Sequence, residues 1–121
     1  MTVLEAWNRR RILIEESDKL YNEGHALSAE TEQIIRENGG VMTALISKMG
    51  SIAEMRRAEG AMAYAEADLI FCEAVLENHD NAEIKWNDDD SVTVENVKYL
   101  MDAGSEEVEI GGARYKLIRV S

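Results

Sequence analysis

An α+β fold follows from three observations on this 121-residue sequence. Apolar residues recur at helical spacing through most of the first 79 positions. The later positions alternate apolar with polar residues, and a Gly111-Gly112 pair separates two such alternating runs. The length fits a single domain, 1–121, with long N-terminal helices over about 1–79 and a small antiparallel β-sheet over about 82–121.

The elements follow in order. Thr2 with Glu5 forms a capping box and Gly24 stands where a helix C-cap belongs, so the first helix is expected over about 3–23. Leu4, Trp7, Arg11, Ile14 and Tyr21 share one face of it, which leaves Arg11 in need of a partner. Ser28 is the expected N-cap of a shorter second helix ending before Gly39 and Gly40. From 41 to 79 the pattern is helical, with a break or kink expected at Gly50 because Ser51 and Glu54 form another capping box. Strands are expected over 82–86 and around Val92 and Val94, on either side of the turn Asn87-Asp88-Asp89-Asp90-Ser91. A short helix is expected over 95–102. The runs 106–110 and 113–120 then pair through Gly111-Gly112, and the register sets Glu109 opposite Arg114 and Val108 opposite Tyr115.

The helix after Gly50 would be about 42 Å long at ~1.5 Å per residue, whereas a chain of this size has a diameter near ~35 Å. Gly60, Ala61, Ala63, Ala65 and Ala67 give it a small-residue surface. These residues predict a homo-oligomer with the long helices as its core.

Charge narrows the function. Residues 1–60 hold 8 Lys or Arg against 10 Asp or Glu, and residues 61–121 hold 5 against 14, within a net charge of −11. Such a field disfavours bulk nucleic acid. No apolar run is long enough for a membrane span, no leader is expected at the start, and the lone Cys72 suits a reducing cytoplasm, so a cytoplasmic protein without a membrane partner is expected.

No catalytic constellation or cofactor motif emerges. Cys72 and His79 lie about 10 Å apart along one helix, too far for a nucleophile and its base, and Cys72 is expected to be buried and inert. His25 and His79 with one cysteine make a poor transition-metal set, and Asp88-Asp89-Asp90 lacks calcium-loop spacing. Gly39-Gly40 lacks the rest of a phosphate loop and is expected to be a helix–helix turn. What remains is a binding vocabulary. Phe71 and Trp86 are candidates to stack on a purine, and Arg114 and Arg119 are candidates to grip phosphates. Either ring also suits a core position between helix and sheet, Trp86 above all, and Arg114 also suits a pair with Glu109.

The helical first half, the segment Arg56-Arg57-Ala58-Glu59-Gly60-Ala61, Phe71, and the ending Ala113-Arg114-Tyr115-Lys116-Leu117-Ile118-Arg119 together resemble the phage Thoeris anti-defence sponges. That resemblance implies non-catalytic binding and sequestration of cyclic nucleotide immune signals, cyclic ADP-ribose isomers and in some members cyclic oligonucleotides, in the host bacterial cytoplasm. It implies dimers assembled into a hexamer, with Phe71 against adenine and Arg114 and Arg119 on the pyrophosphate. Arg56, Arg57 and Gly60 would serve a second, inter-subunit site, and Asn81 or Asn87 would meet the ribose. The alternative is an acidic phage inhibitor protein that blocks a basic groove on a host enzyme.

Overall fold

The computed structural model describes residues 1–79, 82–101 and 107–116. Two long helices, α1 (Val3–Glu37) and α2 (Ala44–Asn78), precede five short strands: β1 (Ile84–Trp86), β2 (Val92–Val94), β3 (Val97–Tyr99), β4 (Glu107–Ile110) and β5 (Ala113–Lys116). The strands form one antiparallel sheet in chain order, so the architecture is α+β. Two compact units divide the chain, one of Met1–Arg11 with Asp68–Ser121 and the other Ile12–Ala67. The division runs through both helices rather than at the junction of helix and sheet.

Local chemistry sets the helix ends. The Thr2 hydroxyl accepts from the Glu5 amide at 3.1 Å, the expected N-cap. α1 then continues through Gly24 and Ser28 as one helix of 35 residues, where the sequence predicts two. Gly24 is a point of close approach instead. A Cβ there would stand 2.8 Å from Arg57 Cγ and 2.9 Å from the Ala53 carbonyl oxygen. α1 ends in a Schellman motif: Gly40 N–H donates to Ile35 O and Gly39 N–H to Arg36 O, with φ of +65° and +82° at Gly39 and Gly40. Thr43 caps α2 through its hydroxyl, which accepts from the Ile46 amide at 3.2 Å. The break predicted at Gly50 is absent. Ser51 turns its hydroxyl back to the Ser47 carbonyl at 3.1 Å and so does not cap a new helix.

On α1 the buried positions Val3, Arg10, Ser17, Gly24 and Thr31 recur every seven residues; on α2 Ile46, Ala53, Gly60, Ala67 and Ala74 do the same. A seven-residue repeat of buried positions marks the packing face of each helix. Within Ile12–Ala67 this packing is direct. Ser17 donates to the Gly60 carbonyl at 2.7 Å, and a Cβ on Gly60 would meet Ser17 O and the Tyr21 ring at 3.1 Å. The small-residue surface expected to face sister copies is therefore spent in part inside the chain, since Gly60 and Ala67 are buried while Ala61 and Ala65 are exposed. The long helix is also matched in length, since α1 and α2 each have 35 residues.

The sheet repeats one pattern in every strand, apolar at both ends of a triplet and polar or charged at its centre. Register aligns those centres as Lys85, Thr93, Lys98, Glu109 and Arg114 across all five strands. Alternation puts that row on one face and the flanking apolar rows on the other. Val92, Val94, Tyr99 and Val108 are buried in one core with Val3, Ala6, Trp7, Phe71, Ala74 and Val75. The helix expected over 95–102 is instead the turn Glu95-Asn96, with Glu95 at φ +55°, followed by β3. The Gly111-Gly112 hairpin has the predicted register, and both glycines have positive φ, as a tight two-residue turn requires. The predicted stretch beyond Lys116 and the residues 102–106 lie outside the described residues.

Candidate functional site

The aromatic residues singled out in the sequence meet, but as packing. Phe71 is fully buried, with its ring centroid 5.4 Å from Trp7, 6.0 Å from Trp86 and 6.0 Å from Tyr99, all in edge contacts. With its surroundings filled by three rings, it has no open face for a purine. Trp86 differs: 48% of it is exposed. The Trp7 indole N–H donates to the Leu100 carbonyl at 3.2 Å, which fixes the first turns of α1 against the sheet strands of its own unit.

The buried cation is Arg10 and not Arg11, because the seven-residue burial repeat of α1 passes through position 10. Arg10 lies 5.0 Å from the Trp7 ring centroid and 5.1 Å from that of Trp86, and its Nε donates to Asp68 Oδ1 at 3.0 Å. A guanidinium held between two indoles and a carboxylate is both stacked and neutralised. The sequence points to Arg11 as the cation on the apolar face of the first helix. The signal that finds Arg10 instead is the seven-residue step from Val3 through Arg10 to Ser17.

Arg114 sits at the opposite edge of the sheet from Trp86. It lines a depression of about 330 Å³ with Asp89, Asp90, Ser91, Lys98 and Glu109. Lys98 Nζ stands 3.2 Å from Asp89 Oδ2, and Glu109 is registered between Lys98 and Arg114. Three carboxylates among two cations make a poor seat for phosphate. Asp89 is held down to about 2 from its ordinary 3.8, first by the Ser91 hydroxyl, then by the Ser91 amide and Lys98. Asn87 spends its amide on the Ser91 and Thr93 hydroxyls, both at 3.0 Å. Arg119 and Asn81 lie outside the described residues.

Arg56, Arg57 and Gly60 belong to the Ile12–Ala67 unit. Arg56 pairs with Glu59 at 3.2 Å and stands 3.9 Å from Glu23, while Arg57 donates to the Ser28 hydroxyl at 2.6 Å. These arginines brace helix against helix, and Gly60 admits the backbone of α1.

Cys72 is exposed, contrary to the buried position expected of it. Its thiol is nonetheless raised above the ordinary value, first by partial burial and then by the Asp68 carboxylate, with Arg10 opposing. Among the described residues, no group of three or more His, Cys, Asp or Glu is arranged to hold a metal ion, and no helix is long and apolar enough to cross a membrane.

A feature that the sequence reading missed is the outer face of α2. Met55, Met62, Leu69 and Leu76 are between 57% and 73% exposed and stand seven residues apart. Ala58, Ala65 and Cys72 fall between them, also exposed. This stripe lies about 160–200° around the helix from the buried repeat Ala53, Gly60, Ala67 at ~100° per residue. With apolar residues on two opposite faces, α2 lacks the one-sided pattern by which an amphipathic helix is usually read.

No protein-family model, curated protein or solved structure matches this chain.

Proposed function

We propose that this chain is a non-catalytic binding protein that covers a basic surface on another protein, the inhibitor reading given by its charge. The observation that carries it is the chemistry of α2. Positions 58–79 hold Glu59, Glu66, Asp68, Glu73 and Glu77 and no Lys or Arg, while Met62, Leu69 and Leu76 stand exposed among them. An acidic field speeds encounter with a basic partner, and the exposed apolar side chains supply the desolvated contact that holds it. Titration calorimetry of the full chain against a panel of purified basic, polynucleotide-binding enzymes tests this. A stoichiometric complex that weakens as salt rises and displaces the enzyme's polynucleotide supports the reading. Absence of binding to every basic enzyme of the panel contradicts it.

One observation favours the second reading, sequestration of a cyclic nucleotide immune signal to counter bacterial anti-phage defence, in a homo-oligomer of the sponge type. Trp86 is 48% exposed and has the Arg10 guanidinium 5.1 Å from its ring. A purine stacked on Trp86 would take the role that the family resemblance gives Phe71. In that case a cyclic ADP-ribose isomer gives a binding heat that Trp86→Ala removes, and heating the complex returns the ligand unchanged. Recovery of a linear product would indicate turnover instead.

A further inference from the structure

Resting on the protein-binding reading, we propose that the outer stripe of α2 docks an amphipathic helix with basic flanks. The stripe Met55, Ala58, Met62, Ala65, Leu69, Cys72, Leu76 advances by three and four residues in strict alternation. That is the spacing by which one helix presents a continuous seam to another. Its four large members, Met55, Met62, Leu69 and Leu76, are all more than half exposed. Met55 and Met62 are unbranched and flexible, and so fit partners of varied side-chain shape, while Ala58 and Ala65 let a second helix approach closely.

Charge decides the occupant. Glu59, Glu66 and Glu73 line one edge of the seam at intervals of seven. Glu54 and Asp68 stand on the other edge, with Ala61 between them. A second copy in antiparallel orientation would set Glu59, Glu66 and Glu73 against the same three residues. A parallel copy would set them against Glu54 and Asp68. Either arrangement places like charges along the contact, which specifies against self-pairing. Asp68 already holds Arg10 and Glu59 holds Arg56, so Glu54, Glu66 and Glu73, all exposed, remain to receive cations. A helix carrying Lys or Arg beside its own three-four apolar repeat satisfies both edges and the seam at once.

The test uses the full chain and two synthetic helical peptides of about 28 residues, four heptads each. Both carry Leu and Ala in the seam positions; one has Lys and Arg on its flanks and the other has Glu. The basic peptide is expected to bind with 1:1 stoichiometry and the acidic one not to bind. Because Met62 and Leu69 are exposed, Met62→Glu with Leu69→Glu keeps the far-ultraviolet circular dichroism of the parent yet weakens the basic peptide at least ~10-fold. Trp86→Ala leaves that affinity unchanged. If the double variant binds the basic peptide as well as the parent does, the seam is not the dock, while the protein-binding reading stands. If neither the basic peptide nor any basic enzyme binds, that reading fails with it. If the chain alone forms dimers that the double variant dissolves, a sister copy occupies the seam and the proposal is overturned.

Discussion

Phe71→Ala removes a ring packed among Trp7, Trp86 and Tyr99, and is expected to cost about 3–5 kcal/mol in urea unfolding. Trp86→Ala, at a half-exposed position, costs less than half as much. A cost for Phe71→Ala below ~1 kcal/mol would contradict the packing role. Arg10→Ala leaves Asp68 without its buried partner and removes the cation from two indole faces. Asp68 is itself 40% exposed, so the expected loss is about 1–3 kcal/mol, below that for a fully buried pair. Asp89 gives a pH signature. Its carboxyl sits at about 2 in the folded chain against an ordinary 3.8, so the stability it contributes is present above 3.8 and disappears as the pH falls through about 2. Parent and Asp89→Asn should therefore differ in thermal midpoint at about pH 5 and converge near pH 2. A gap that stays constant over that range would show that the carboxylate is not the cause.

At the scale of elements, three glycines on the two helices separate close packing from propensity. Gly50 has nothing within 4 Å of a built Cβ, so Gly50→Ala should stabilise by roughly 0.5–1 kcal/mol through helix propensity alone. At Gly24 a Cβ would strike the Ala53 carbonyl oxygen, so Gly24→Ala should destabilise by about 1–3 kcal/mol; Gly60→Ala, whose Cβ contacts are looser, should fall between the two. Urea midpoints of the three variants check the order. The same glycines show what the sequence discloses and what it conceals. Gly111-Gly112 reads correctly because a two-residue turn fixes register locally, and the Thr2 cap reads correctly for the same reason. Gly24 looks like a C-cap and is a packing site, because its purpose is set by Ala53 and Arg57, 29 and 33 residues away in the chain. Val97-Lys98-Tyr99 looks helical beside Glu95 and Asn96 until Thr93 and Glu109 stand on either side of Lys98. Of the candidate site residues, Phe71 and Trp86 are indeed neighbours. That Trp86 is the exposed ring of the two depends on Trp7 and Tyr99, which local spacing does not bring near.

For the whole molecule, the balance of charge and exposed apolar surface favours an unlike partner. Acidic residues dominate positions 61–121, and the exposed apolar stripe on α2 runs between carboxylates. Raising salt should weaken a basic partner mainly by slowing its association, while removal of Met62 or Leu69 should speed its departure. Stopped-flow measurements with the labelled basic peptide separate the two effects. Sedimentation velocity of the full chain, alone and with that peptide, bears most directly on whether α2 serves an unlike helix. A 1:1 complex is expected, lost in the Met62→Glu, Leu69→Glu chain, together with a sedimentation coefficient for the chain alone that this double substitution does not change. A chain whose own dimer is dissolved by the substitution, and which ignores the peptide, would contradict it.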